Sequence, residues 1–186
     1  MTADEAALAV IEALEALQIP YLLSGSFASG YYGIPRSTHD ADFVVEWKGK
    51  SIRSLMDRLG PRFRLDPQMS FEAVTGTRRF IVHAEGNDFE VELFQLSEDP
   101  HDQERFRRRR TVPLLGRHVH LPTVEDVVVT KVRWLMATRR SKDREDARSV
   151  IAVCGESIDW DYVYSWCDRH GTRELLDEIR RSIPPI

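Results

Sequence analysis

A closely spaced aspartate pair constrains this chain more than any other feature. Asp40 and Asp42 flank Ala41 and run straight into the apolar Phe43-Val44-Val45. Side chains at i and i+2 of a strand point to one face. A strand here therefore carries two carboxylates side by side at the edge of a buried run. Such carboxylates repel each other and lose hydration. A divalent cation is the simplest remedy, because Mg²⁺ is held by hard oxygen ligands and by substrate phosphates. Upstream, Tyr21-Leu22-Leu23 leads into Gly25-Ser26. A Gly-Ser turn that opens a helix offers backbone N–H groups and a positive dipole end to a phosphate. Together these parts point to metal-assisted phosphoryl or nucleotidyl transfer. Asp40 also suits a turn cap, whereas Asp42, set between Ala41 and an apolar run, does not.

The remaining composition narrows the class. A chain of 186 residues makes one domain, or a core with a helical appendage. With 42% apolar and 30% charged residues it builds a real core and is not globally disordered. A net charge of −4 argues against a purely electrostatic nucleic-acid binder. Cys154 and Cys167 fall in helical segments, have no zinc spacing and read as free thiols. The histidines, His39 beside the aspartates included, show no metal-binding spacing. No apolar run reaches the ~18 residues of a membrane span, and Met1 opens no basic-then-apolar leader. The expectation is a cytoplasmic protein with no membrane partner.

Periodicity predicts strands and helices in the first two thirds and helices alone thereafter. Leu8, Ile11, Leu14 and Leu17 form one stripe of a helix over 3–17, closed by Pro20. Tyr21–Ser24 reads as a strand, Ser26–Gly33 as a short helix and Ala41–Trp47 as a second strand. Ser51 caps a helix to Leu59. Residues 62–65 read as a short strand, and 66–76 as mostly loop. Thr77–Ala84 and Asp88–Gln95 form a hairpin around Glu85-Gly86-Asn87. Val112–Leu115 and His118–Leu121 form another around Gly116. Helices follow at 123–138, 142–154, 159–169 and 172–182, with Thr123 and Asp159 as N-caps. The predicted class is α+β, a mixed β-sheet flanked by helices and followed by a C-terminal helical bundle. The division is a core over 1–121 and a helical region over 122–186 packed on it.

Further charged residues sit where apolar ones are expected. In Phe89-Glu90-Val91-Glu92-Leu93-Phe94, Glu90 and Glu92 share the face opposite the apolar residues. This is either a half-exposed strand or the source of a third carboxylate, able to complete a metal site or to take a proton from an attacking hydroxyl. Glu92, beside Leu93-Phe94, has the better position. Lys131 falls in the apolar stripe of Val124, Val127, Val128 and Leu135, either snorkelling at the stripe edge or reaching a phosphate. Asp143 and Asp146 continue the face of Ala147, Val150 and Ile151. They favour the helix dipole there, or form a polar cluster with Lys131. Arg105 and Arg107–Arg110 make the strongest charge cluster, either a solvated helix face balanced by Glu98, Asp99, Asp102 and Glu104 or a contact to RNA.

With these residues placed, the chain resembles the nucleotidyltransferase superfamily with the DNA polymerase β-type core, and most closely the AbiEii/AbiGii-type enzymes linked to toxin–antitoxin systems. The resemblance rests on Gly25-Ser26 followed by Arg36-Ser37-Thr38-His39-Asp40-Ala41-Asp42. It rests equally on Pro122-Thr123-Val124-Glu125-Asp126, then Lys131, then Lys142-Asp143-Arg144-Glu145-Asp146. It covers about residues 8 to 155. It implies that Gly25 and Ser26 bind nucleotide phosphates and that Asp40, Asp42 and Glu92 hold Mg²⁺, with two ions. It further implies that Lys131 contacts the triphosphate, that Asp143 and Asp146 organise the site, and that Arg36 and Thr38 shape the loop into the metal strand. The family usually has Asp as the third carboxylate. Glu at this place leaves Glu90 and Glu92 both open as the third ligand.

The implied activity is Mg²⁺-dependent transfer of NMP from an NTP to an acceptor hydroxyl, on a tRNA 3′ end or a protein. Two other readings share the fold. One is a catalytically weakened partner-binding member of a toxin–antitoxin pair, docking a cognate toxin or antitoxin. The other is an aminoglycoside-type small-molecule nucleotidyltransferase, although no acidic antibiotic-binding tail stands out.

Overall fold

The computed structural model describes residues 1–86 and 88–184. Helix α1 (Ala3–Ala16) opens on a capping box. Thr2 Oγ1 accepts from the Glu5 amide, and the Glu5 carboxylate accepts from the Thr2 amide. Strand β1 (Tyr21–Leu23) then runs into helix α2 (Gly25–Tyr32), strand β2 (Asp40–Val45) and helix α3 (Ile52–Leu59), with Ser51 as its N-cap. Strands β3 (Phe63–Leu65), β4 (Ser70–Phe71), β5 (Arg78–Ala84) and β6 (Glu90–Gln95) follow. The predicted turn at Glu85-Gly86-Asn87 is partly outside the described residues, since Asn87 is not among them.

These strands form one mixed sheet in the order β1-β2-β6-β5-β3, with β4 attached to β5. β2 and β6 are parallel, and the other pairs are antiparallel. Alternation assigns the two faces. Ala41, Phe43, Val45, Val91 and Leu93 pack with α1 and α3 in the larger core. Val44 and Phe94 point the other way, against Leu22 and Phe106. Asp40, Asp42 and Glu92 share the face of Val44 and Phe94.

Helix α4 (Pro100–Arg108) covers that second face. Its composition is polar all round, and no apolar stripe announces it. It starts because Asp99 accepts from the amides of His101 and Asp102 and because Pro100 suits the first turn. The hairpin of β7 (Arg110–Leu114) and β8 (Arg117–Leu121) forms a separate sheet, tied to α1 by Arg117 with Glu12 and Glu15. The chain ends in α5 (Val124–Thr138), α6 (Ser141–Cys154), a 3₁₀ turn (Gly155–Ser157), α7 (Trp160–His170) and α8 (Arg173–Arg181). Thr123 and Asp159 cap α5 and α7, and Gly171 ends α7 in a left-handed conformation. These helices bury Val128, Val132, Val150, Val163, Leu176 and Ile179 in a second core that also takes in Ala28 of α2. Among the described residues no helix is long and apolar enough to cross a membrane.

The α+β class and C-terminal helices match the expectation. Two segments differ from it. Residues 66–76, read as loop, contain the short strand β4, which exists only because Ser70 and Phe71 pair with Arg79 and Arg78. The arginine run is not one basic patch, because α4 turns its members in different directions. Arg105 is buried on Asp102, while Arg107 is exposed on Glu104. Arg108 lies over Tyr162, and Arg109 lies over Phe106.

Candidate active site

The parallel pairing of β2 with β6 sets Asp42 opposite Glu92 and Asp40 opposite Glu90. Asp40, Asp42 and Glu92 line one cleft, between the sheet and helices α2, α4, α5 and α6. Glu90 instead lines a separate depression near the β3 edge, with His83 Nδ1 3.6 Å from its Oε1. Register sets each glutamate against one aspartate, and the two part by cleft: Glu92 lines the one the aspartates line, and Glu90 does not.

Asp40 is oriented by Thr38, whose Oγ1 donates to Oδ1 at 2.6 Å, and faces Lys142 Nζ at 3.6 Å. Glu92 accepts from Arg79 of β5 at 3.2 Å. Among the described residues no donor hydrogen-bonds to the Asp42 carboxylate. Burial pushes the Asp42 carboxyl up to about 7, reinforced by the charges of Asp40 and Glu92 and opposed by Lys131 and Lys142. Burial also raises Glu92, with Arg79 pulling the other way.

The start of α2 closes over Asp42. Gly25 has φ +56°, and a Cβ built on it falls 1.7 Å from Asp42 Oδ2. Only glycine lets the turn come this near a carboxylate. Ser26 lies at the same helix start and accepts from Arg36 Nη2 at 2.8 Å. Arg36 also holds Asp146 through two hydrogen bonds, of 2.9 and 3.1 Å.

Lys131 occupies the apolar stripe of α5 as predicted, but its ammonium is shared by Asp143 at 3.2 Å and Asp146 at 2.8 Å. Of the two readings for Asp143 and Asp146, the structure has the polar cluster. Burial alone would raise Asp146, but hydrogen bonds and charge from Arg36 and Lys131 outweigh it and hold its carboxyl low. Arg140 adds a contact to Asp143 at 3.1 Å. The chain Ser26–Arg36–Asp146–Lys131–Asp143–Arg140 thus ties the α2 turn to α5 and α6. Gly25, Ser26, Asp40, Asp42, Glu92, Lys131 and Asp143 all line the cleft; Arg36 and Asp146 buttress it from behind, and Thr38 from beside Asp40.

Sequence reasoning missed Arg79 and Arg133, which also line the cleft, as does Arg105, read from the sequence only as part of the arginine cluster. Arg105 pairs with Asp102 at 2.9 Å, and Arg133 pairs with Asp99 at 2.8 Å. Alternation along β5 could have put Arg79 on the face of Glu92, had the strand register been known.

The donor set suits a hard divalent ion. Asp40 and Asp42 offer carboxylate oxygens only, and Asp42 has lost hydration without gaining a donor. As placed, no three His, Cys, Asp or Glu side chains among the described residues stand close enough to share one ion. Arg79 holds the Glu92 carboxylate instead.

No protein-family model matches the chain, and no curated protein matches it significantly. Solved structures do match its fold. The crystal structure of ANT(2'')-Ia in complex with adenylyl-2''-tobramycin superposes with a TM-score of 0.65 at 14% identity, covering 94% of this chain and 99% of that one. The solution structure of the same antibiotic-resistance factor gives 0.63 at 14% identity, covering 96% of each chain. An antigenic nucleotidyltransferase-like protein from Paracoccidioides brasiliensis gives 0.54 at 17% identity, covering 97% and 93%. At this identity the likeness establishes the fold, which is that of the nucleotidyltransferases.

Proposed function

We propose that the chain is a Mg²⁺-dependent nucleotidyltransferase that moves NMP from an NTP to an acceptor hydroxyl and releases pyrophosphate. One observation carries this reading. Asp40 and Asp42 share a sheet face with Glu92 directly beneath a glycine turn that opens a helix.

In this reading Asp40 and Asp42 hold the metal, and Glu92 completes the oxygen set. Bound Mg²⁺ would favour the alkoxide of the acceptor and offset charge on the phosphates. Glu92 takes the proton of the attacking hydroxyl. The first backbone N–H groups of α2, with Ser26, bind the phosphates. Lys142, at the start of α6 and facing Asp40, is an exposed cleft-lining cation placed to meet a triphosphate. Lys131 contributes charge to the same phosphates while holding Asp143 and Asp146 in place. Residues 1–121 form the catalytic core, and 122–186 complete the cleft through Lys131, Asp143 and Asp146.

The acceptor is the tRNA 3′ end or a protein hydroxyl, rather than a polycationic aminoglycoside. The adenylyl-tobramycin complex of the matching fold makes the small-molecule acceptor the strongest competing reading. Charge argues against it. Beyond the metal row, the carboxylates lining the cleft are Glu72, Asp102 and Asp143. Glu72 accepts from the Val74 and Thr75 amides, Asp102 pairs with Arg105, and Asp143 pairs with Lys131 and Arg140. All three are already engaged, and several ammonium groups would find no carboxylate to receive them. The AbiEii/AbiGii-type resemblance supports a place in a toxin–antitoxin pair. A weakened, partner-docking member of such a pair draws support from the Glu at position 92 and its capture by Arg79.

The test is label transfer from each α-labelled NTP with Mg²⁺ onto total tRNA, cell protein and tobramycin, with Asp42→Asn as control. Label on RNA or protein from the wild type alone supports the proposal. Label on tobramycin alone favours the small-molecule enzyme. No label on any pool, with the protein folded, rejects transfer in favour of partner docking.

A further inference from the structure

The third carboxylate is under the control of a residue that the metal chemistry itself does not require. Arg79 Nη1 donates to Glu92 Oε2 at 3.2 Å, while its Nε donates to Ser70 Oγ at 2.8 Å. Ser70 belongs to β4, a two-residue strand attached to the sheet only through β5. Phe71 of this strand and the preceding Met69 are 61% and 49% exposed. The following turn, with Glu72, Val74 and Thr75, borders the same cleft. One guanidinium therefore bridges a weakly attached cleft-side strand and the carboxylate next in register to Asp42.

We propose that Arg79 is a positioning residue that stands in for the metal on Glu92 and releases the β4 segment when the metal takes the carboxylate. This rests on the proposed metal-dependent reading. Arg79 holds Oε2 of Glu92, and a divalent cation on this carboxylate draws on the same negative charge, so Glu92 does not satisfy both at full strength. Pairing with Arg79 holds Glu92 pointed at the cleft before metal arrives. Once Glu92 turns to the metal, Arg79 loses one of its two anchors, and β4 loses the inward pull that Ser70 transmits.

The test uses the full chain and Mn²⁺ without nucleotide, followed by the electron paramagnetic resonance signal of free Mn²⁺ and by amide hydrogen exchange. Arg79→Met should bind Mn²⁺ about threefold tighter than the wild type, the scale set by a half-exposed ion pair. In the wild type, Mn²⁺ should speed exchange across residues 70–79, and in Arg79→Met it should not. Unchanged or weaker Mn²⁺ binding by folded Arg79→Met overturns the proposal, as does wild-type exchange in 70–79 that ignores Mn²⁺. The exchange readout needs no variant, so it decides even if Arg79→Met fails to fold. Absence of any Mn²⁺ binding by the wild type would overturn the metal reading and this proposal with it. Binding that Asp42→Asn removes but Arg79→Met does not tighten would overturn this proposal alone.

Discussion

Replacing Gly25 by alanine probes the closest contact in the site. The residue sits at φ +56°, where an L side chain costs about 1–2 kcal/mol. For a chain of this size that corresponds to a fall in Tm of roughly 3–6 °C. The larger effect is local. The new Cβ would lie 1.7 Å from Asp42 Oδ2 and 2.6 Å from its Cγ, whereas ordinary contact begins at 3.4 Å. Either the Asp42 carboxylate or the α2 turn must retreat by well over an ångström. Misplacement of about 1 Å in a reacting constellation costs about 10²-fold in rate. Gly25→Ala should therefore remain folded, melt slightly lower and lose about two orders of magnitude in NMP transfer. Melting curves and initial rates on the same preparation measure both. Full turnover with the expected small fall in Tm would refute the claim that Asp42 and the α2 turn must meet at this distance.

Other perturbations separate the remaining parts. Because the Asp42 carboxyl is raised from 3.8 to about 7, metal-free protein should lose stability as pH rises through that window, and Asp42→Asn should flatten this loss in melts taken in chelator between pH 4 and 8. The sign follows because the folded state binds the proton more tightly than the unfolded chain does. Lys131→Met removes the ammonium between Asp143 and Asp146, leaving each carboxylate only its arginine, Arg140 and Arg36, and should cost about 1.5–3 kcal/mol in denaturant unfolding, more than any effect of a surface lysine. Tyr162→Phe removes the 2.6 Å hydrogen bond from α7 to the buried Asp126 and should cost about 1.5–3 kcal/mol in the same assay, with little change in transfer rate.

Much of the site was legible because charge in a buried pattern is expensive. Asp42 before an apolar strand, Lys131 inside an apolar helical stripe and Asp143 with Asp146 on the next helix each broke a local rule. The structure brings the last three together. What it adds to Lys131 is the partner: two carboxylates hold an ammonium that spacing alone could assign to a phosphate. Helix α4 was not legible as a core element, since it is anchored by Asp99, a single Phe106 and buried ion pairs rather than by a stripe. Strand β4 has no period of its own and exists through its pairing with β5. Arg79 was invisible for the same reason, because its value depends on the β5–β6 register that places it near Glu92. The difference between Glu90 and Glu92 was not legible either, since alternation puts both on one face, register sets each against an aspartate, and only the cleft that each lines tells them apart.

In the proposed function the Asp40–Asp42 pair receives a metal-bound nucleotide under the Gly25-Ser26 turn. Calorimetric titration with a non-hydrolysable NTP, in Mg²⁺ and in chelator, tests it most directly on wild type and Asp42→Asn. Binding should require Mg²⁺ and be lost in the variant. Nucleotide binding of equal strength in chelator and in Asp42→Asn would contradict it.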